Sequence, residues 1–405
     1  MGITGLRKFL ESNIPLHILN KSIVVFENEK PNESLRGKTV VIDTSIFIHQ
    51  YATAVIGTPS EHITSTGRTA VHLQAILSKV FSYVSKGLKP IFVFDGKPPA
   101  AKKKTIQKRE NGRSACSKEQ IKLINRANEV TAELSTIDSD SIESYAENVE
   151  QINYLGTQIV ELSVANEILG KRTFHVTRQQ ITEVKSLLSL LGIPYVQAPE
   201  EADPQCAHLV KNGIGDFVAS DDMDLLTFGT PCLITSLKTS GVARQFNLET
   251  IVKSLDITFD QFIEVCILLG CDYTCTIRGL GPKRILPMIK EYGSIENLIE
   301  TCPFIGKQFI IQDDFEYELA LECFKNPNVI DVNVNDIVWK VPQYNNIREI
   351  LESYEFDPSK VNEVLGKLSN EQYEALSDDS QVTQYNTQLK AQMIHKYFDS
   401  DSDTD

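Results

Sequence analysis

The sequence predicts an α/β fold in which helices flank a mostly parallel central sheet. Two observations carry this reading. Short, continuously apolar runs recur through the first half, each followed by a stretch with helical spacing. The runs also lack the polar alternation of a half-exposed sheet, so both of its faces must be covered, as in parallel α/β sheets.

KTVVID (38–43) reads as the first such strand, and SIFIHQYATAV (45–55) follows with helical spacing. HLQAILSKVFSYVSKG (72–87) is an amphipathic helix that should end at Gly87. KPIFVFD (89–95) is the next buried strand, and further strands are read at IPYV (193–196), DFVAS (216–220) and PCLIT (231–235). Helices fall at about 179–191 and from about Glu200, then at 247–255, 258–270, 282–292, 294–301, 313–325 and 358–368. Residues 97–172 are rich in charge and helix formers and have no strand signal, so they read as a helical excursion from the sheet. Residues 371–405 are polar and rich in Asp, Ser, Gln and Thr, the composition of a disordered tail.

Composition bounds the function classes. The chain has 405 residues, 41% hydrophobic and 23% charged, enough for a sizeable core. Its longest mostly apolar stretch, Phe262 to Cys271, contains Glu264 and falls far short of the about 20 residues a membrane span needs. A soluble protein without a membrane partner is expected. Eight cysteines without a CxxC pair, and seven histidines without HExxH, argue against a disulfide scaffold and structural zinc; buried thiols in a reducing compartment are expected. The net charge of −14 conceals opposed blocks. Lys97 to Arg126 carries ten Lys/Arg against two acids, and Glu129 to Glu150 seven acids and no base.

The acids fall at informative places. Asp43 ends VVID, Asp95 ends IFVFD, and Asp222 and Asp224 follow DFVAS directly. Glu201 and Asp203, in APEEAD, open the helix after IPYV, and Asp272 follows FIEVCILLGC. In an open parallel sheet the carboxyl ends of the strands form the ligand crevice. Seven carboxylates gathered there would repel one another unless hard divalent cations compensated them. Two such ions suit attack of water on a phosphodiester. Singly, each acid has a plainer reading: Asp43 as a helix N-cap, Glu201 and Asp203 as complements of a helix dipole, Asp222 and Asp224 as a solvated turn.

IRGLGPKR (277–284) sets two glycines and then basic residues at a helix start, which suits backbone N–H groups approaching a phosphate; a plain Gly-rich turn reads equally well. Lys102 and Arg109, seven apart in the basic block, share a helix face and could clamp a scissile phosphate, although a solvated face is the usual explanation of such a run.

Taken in order, MGITGLRKFL, VVIDTS, FVFDGKPPAAK, APEEADPQCAHL, DDMDLLTFG and LLGCDYTCTIRGLGPKR closely resemble the flap endonuclease/XPG family of structure-specific 5′ nucleases. The resemblance covers roughly residues 1–330 outside the helical excursion. It implies a PIN/5′-nuclease-like sheet with a helical arch and a helix–two-turn–helix at about 270–292, and a magnesium-dependent nuclease that cuts flapped or branched double-stranded DNA as a monomer. Asp43, Asp95, Glu201 and Asp203 would serve a first Mg²⁺, and Asp222, Asp224 and Asp272 a second, with Mn²⁺ as substitute. Lys102 and Arg109 would polarise the scissile phosphate. DNA contacts would come from Gly2, His49, Lys79, Thr276, Arg278, Gly279, Gly281, Lys283 and Arg284. A K⁺ at the helix–two-turn–helix would take oxygens from Thr276, Ile277 and Leu280. Nuclear localisation, or a replication site if the chain is viral, follows from the same resemblance.

The departures define alternatives. His49 replaces the family's usual Tyr and is reminiscent of the 5′–3′ exonuclease branch; Lys79 replaces Arg, and Ile56 stands where a basic residue is expected. The stretch between Arg109 and Glu201 is long, with an acidic insertion at 129–165. Near the end, Ala391, Ile394, Tyr397 and Phe398 have sliding-clamp-motif spacing without its Gln. The units expected are 1–100 and 173–330 as nuclease regions, 101–172 as arch, 331–370 as a helical extension and 371–405 as tail. A DNA-binding scaffold without catalysis should have lost a ligand, and none is lost. An aspartate-nucleophile phosphatase would need Asp-x-Asp where Asp43-Thr44-Ser45 stands.

Overall fold

The computed structural model describes residues 3–19, 21–24, 26–27, 30–31, 35–137, 142–235, 237, 242–359, 361–362 and 366. Gly2, the clamp-motif residues Ala391, Ile394, Tyr397 and Phe398, the tail 371–405 and most of the helix expected at 358–368 lie outside the described residues.

The chain opens with α1 (Leu6–Asn13) and α2 (Leu16–Leu19), then β1 (Lys21–Val24) and the ribbon of β2 (Phe26–Glu27) and β3 (Lys30–Pro31). β4 (Thr39–Asp43) leads through α3 (Thr44–Val55) and α4 (Val71–Val84) to β5 (Lys89–Phe94). A 3-10 turn (Ala100–Lys102) starts the excursion α5 (Lys103–Ser135) and α6 (Ile142–Thr173), and α7 (Arg178–Leu190) returns to β6 (Tyr195–Gln197). α8 (Ala202–Lys211), β7 (Phe217–Ala219), α9 (Asp224–Thr227), β8 (Cys232–Thr235) and β9 (Val242–Asn247) complete the sheet. α10 (Leu248–Leu255), α11 (Phe259–Leu269), α12 (Pro282–Tyr292), α13 (Ile295–Thr301), α14 (Tyr317–Lys325) and α15 (Tyr344–Ser353) follow.

Seven strands form one sheet in the order β1-β9-β8-β7-β4-β5-β6. The five strands expected from the sequence are parallel, while β8–β9 and β9–β1 pair antiparallel. β1 and β9 escape the sequence reading: β1 is a four-residue strand at the sheet edge, and in β9, between β1 and β8, VARQFN places Arg and Gln at its centre, which breaks the apolar run.

The strand period of two divides the core between the faces. Val41, Ile91, Val93 and Val218 pack with α1, α8 and the carboxyl-terminal helices α11 and α12. Val40, Ile42, Phe92, Phe94 and Phe217 pack with α4, α7 and α15. From β4 the chain winds outward through β5 to β6, then returns to β7 on the other side of β4. The strand order therefore reverses between β4 and β7, where an open α/β sheet has its crevice.

α5 and α6 contain 33 and 32 residues and pack against each other as a hairpin, each about 50 Å long at the α-helical rise. Glu129, Glu133 and Glu150 of the acidic stretch lie towards its distal end. At its root, Thr173 Oγ1 donates to Gln120 Oε1 at 3.2 Å, and the His49 ring lies 6.0 Å from that of Phe174. All eight cysteines are free thiols; three are buried and five half-buried, so the expectation of buried thiols holds for the smaller group. Among the described residues, no helix is long and apolar enough to cross a membrane.

Candidate active site

A cavity of about 280 Å³ opens at the carboxyl edge beside β4 and β7. All seven carboxylates singled out in the sequence line it, together with Lys102, Arg109 and His49. Asp221, the residue before Asp222, joins them.

Each strand-end acid is held by backbone amides, some local and some from distant segments. Asp43 N-caps α3, its Oδ1 accepting from the Ser45 and Ile46 amides at 2.8 and 3.1 Å. The plainer reading of Asp43 is thus correct and does not compete with the functional one, because Asp43 also forms the cavity wall. Asp95 Oδ1 accepts the Ala202 amide at 2.9 Å, joining the exit of β5 to the start of α8. Between them, Gly96 lies so close to the 198–199 backbone that a Cβ would stand 2.3 Å from the Ala198 carbonyl oxygen. A side chain there would force Asp95 and Glu201 apart. Asp222 Oδ1 accepts the Asp224 amide at 3.1 Å. The Ile3 amide donates to Asp224 Oδ1, and the Thr4 amide to the Gly270 carbonyl at 2.9 Å, so the amino-terminal segment is drawn into the site.

Asp272 is the most heavily paired acid. Arg109 Nη2 donates to both its oxygens at 2.9 and 2.7 Å, and Lys102 Nζ lies 3.3 Å from Oδ2. Lys102 also donates to Glu201 Oε1, while the Tyr273 hydroxyl donates to Glu201 Oε2 at 2.6 Å. Tyr273 was missed because an aromatic beside an apolar helix reads as core.

The electrostatics follow from crowding. Burial, with Asp95 adding repulsion, raises the Asp43 carboxyl well above the usual range. Burial, then Asp43, does the same for Asp203, and burial, then Asp222, pushes Asp224 up to about 8. Burial works against the Lys102 charge, but Glu201 and Asp272 outweigh it and hold the ammonium above its usual value.

Asp203 Oδ1 is sealed from solvent without a hydrogen-bond partner among the described residues. A buried carboxylate oxygen left orphaned among other acids is the donor chemistry a hard divalent cation satisfies. As the side chains stand, no three His, Cys, Asp or Glu among the described residues close into a metal-holding group. The acids surround the cavity at some distance, and two of them hold Lys102 and Arg109 instead.

The second predicted region lies beyond the cavity, between α11 and α12. Gly279 has φ +91°, and a Cβ there would stand 2.4 Å from the Gln308 carbonyl oxygen. Arg278 and Ile310 exchange backbone hydrogen bonds at 3.0 and 2.9 Å, so the 304–312 turn, which carries no sequence signal, braces the hairpin. Gly281 N-caps α12, and Arg278, Lys283 and Arg284 are exposed, whereas Thr276 is half-buried. Ile277 and Leu280 are buried, and the Ile277 carbonyl accepts the Leu280 amide at 3.2 Å.

Two predicted DNA contacts have other neighbours in this structure. The Lys79 ammonium lies 4.5 Å over the Phe47 ring and 4.7 Å over that of Tyr83, beside a smaller cavity shared with Asp43 and Asp221. Burial pushes it down to about 8, although Asp221 acts the other way. His49 is half-buried, and burial, then Arg113, holds it below the usual histidine range.

The sequence and the fold that build this site match known families. Residues 1–116 match the XPG N-terminal domain, and residues 192–272 the XPG I-region. The catalytic core of Rad2 in complex with DNA substrate superposes with a TM-score of 0.63 at 23% identity, covering 91% of this chain and all of that one. Flap endonuclease-1 from Methanococcus jannaschii gives 0.59 at 23%, covering 90% and 98%. Flap endonuclease 1-A of Oryza sativa subsp. japonica is 33% identical over 375 residues, 91% of this chain and 86% of its own. The chain belongs to the flap endonuclease family.

Proposed function

We propose that the chain is a magnesium-dependent, structure-specific 5′ nuclease that hydrolyses DNA phosphodiesters at 5′ flaps or junctions. One observation carries the reading: carboxylates from five separate chain segments meet Lys102 and Arg109 in a single cavity at the sheet's switch point. Family membership supports it, as does the fold shared with a Rad2 core that was solved with DNA substrate.

Asp43, Asp95, Glu201 and Asp203 would hold one Mg²⁺ or Mn²⁺, and Asp222, Asp224 and Asp272 another. When bound, such ions make water nucleophilic at neutral pH and offset charge on the attacking and leaving oxygens. Lys102 and Arg109 supply the remaining positive charge. Without substrate they are held by Glu201 and Asp272, so an entering phosphate competes with those carboxylates for donors already aimed into the cavity. Water adds to phosphorus as the bond to the 3′ oxygen breaks, leaving 5′-phosphate and 3′-hydroxyl ends. The braced hairpin with Arg278, Lys283 and Arg284 would hold duplex backbone through amides and charge, which positions without reading sequence. Its K⁺, a monomeric state, a nuclear or replication-site address and a clamp contact through Ile394, Tyr397 and Phe398 belong to the same reading and rest on sequence resemblance.

His49 on the cavity wall supports a second reading, a 5′–3′ exonuclease of the same superfamily, since an imidazole can stack on a terminal base. One assay separates the two. The protein is incubated with Mg²⁺ and an end-labelled double flap, blunt duplex or four-way junction, with EDTA and Asp222→Ala as controls. A single cut near the flap base, absent from both controls, is expected. A ladder from the blunt 5′ end would select the exonuclease. Tight binding with no cleavage of any substrate would overturn both.

A further inference from the structure

We infer that Tyr273 is a positioning residue that sets the orientation of Glu201 in the cavity, an inference that rests on the nuclease reading above. Tyr273 follows Asp272 directly, so one turn delivers both a carboxylate and the hydroxyl that grips a second carboxylate 72 residues away. That hydroxyl donates to Glu201 Oε2 at 2.6 Å and leaves Oε1 to Lys102. Hydrogen bonds to a charged acceptor are the stronger kind. Both residues are buried, Tyr273 at 7% and Glu201 at 8% exposure.

The hydroxyl is itself held in place. The Tyr273 ring stands edge-on to Phe324, centroids 5.1 Å apart at 72°, and Phe324 packs in turn on Phe228 at 5.1 Å. A ring fixed on its apolar side can present its oxygen in one direction only, and that direction is Glu201.

The reason such a tether is needed lies behind Glu201. A second cavity of about 170 Å³ is lined by Glu201, Tyr273, Phe228 and Cys323, so Glu201 forms a wall of both spaces. A glutamate has several rotatable bonds, and with empty volume on both sides it would populate both. Donation from Tyr273 selects the rotamer in which Oε1 faces Lys102 and the other acids. Partners of this kind around a metal-ligating carboxylate typically change metal affinity or activity 10–100-fold when removed.

The test is Tyr273→Phe in the full chain, with Mn²⁺ binding followed by electron paramagnetic resonance without DNA, and cleavage of the double flap titrated with Mn²⁺. The half-saturating Mn²⁺ concentration should rise about 10–100-fold in both measurements, while turnover at saturating metal recovers most of its wild-type value. In a Glu201→Ala background, which leaves the hydroxyl no side-chain acceptor at that position, Tyr273→Phe should shift Mn²⁺ binding no further, because the hydroxyl acts through that carboxylate. Unchanged half-saturation, or an additive shift in the double variant, overturns the inference. Should Tyr273→Phe fail to fold, Phe324→Leu, which keeps the hydroxyl but removes its backing, is expected to raise half-saturation; an unchanged value there overturns it as well. A wild-type chain that neither binds Mn²⁺ nor cleaves would instead overturn the nuclease reading, so the two failures are distinguishable.

Discussion

Lys102 shows how much the tertiary structure adds to a residue singled out in the sequence. Its place seven residues before Arg109 put both on one face of the basic block, and both line the cavity. The sequence could not show that, before substrate arrives, Lys102 is shared between Glu201 and Asp272. Lys102→Ala therefore has two consequences. The single-turnover cleavage rate should fall by orders of magnitude at saturating DNA, while the dissociation constant for the flap changes little; a pure affinity loss would make Lys102 a DNA-positioning residue. Losing its ammonium also leaves Glu201 with less compensation, so divalent ions should protect the variant against thermal unfolding more than they protect wild type. Differential scanning calorimetry with and without Mg²⁺ checks this second effect.

At the scale of elements, the hairpin between α11 and α12 is informative because its two glycines do different work. Gly281 has open space where a Cβ would go, whereas Gly279 is both left-handed and pressed against the Gln308 carbonyl. Gly279→Ala should cost about 1–3 kcal/mol, the usual range for a non-Gly residue forced into such backbone. It should also displace the Arg278–Ile310 bridge, weakening duplex binding by fluorescence anisotropy. Gly281→Ala should be nearly silent in the same assay, and equal losses from the two would contradict this account. The long α5–α6 hairpin makes the complementary point: composition was enough to recognise it as helical, since helix formers and charge ran on without a strand signal. Its seating at the root, by Gln120 against Thr173 and His49 against Phe174, depends on partners more than 50 residues apart in sequence.

For the whole molecule, the turn that follows α15 closes the fold by gripping the first half of the chain. The Glu355 carboxylate accepts from the Ser65 amide and hydroxyl at 2.6 and 2.7 Å, and the Tyr354 ring lies 3.9 Å from the Arg68 guanidinium carbon. Beneath them His72, 1% exposed, has Nε2 2.8 Å from Glu183 Oε2, while its Nδ1 has no partner among the described residues. Burial holds His72 below the usual histidine range, with Glu183 only partly offsetting it and Arg68 adding to it. Burial would raise Glu183, but hydrogen bonds from Tyr354, Gln179 and His72 outweigh it and hold that carboxyl low. The unfolded chain then binds more protons than the folded one as pH drops, first at histidine and then at glutamate. This contribution to stability is complete above about pH 6.5, the free histidine value, and is lost progressively below it. The thermal midpoint should fall between pH 7 and 5, and His72→Gln should flatten that fall; a parallel decline in the variant would place the acid sensitivity elsewhere.

The sequence by itself determined the five parallel strands, the acid at the end or exit of nearly every one, the two cavity-lining cations Lys102 and Arg109, and the glycine hairpin. It could do so because apolar runs, strand-end carboxylates and glycine spacing are local signals, legible within ten residues. Even the plainer reading of Asp43 was available there, and it proved to be the mechanism that aims the side chain. Only the tertiary structure decided what the acids share. The Ile3 amide on Asp224, the Ala202 amide on Asp95 and the Tyr273 hydroxyl on Glu201 join segments that no local pattern connects. The strands β1 and β9 belong to the same class, since pairing with a distant neighbour, rather than their own composition, makes them strands. Sequence periodicity records which face of an element is apolar; the burial and repulsion that set a carboxylate's charge come from whatever the rest of the chain packs around it.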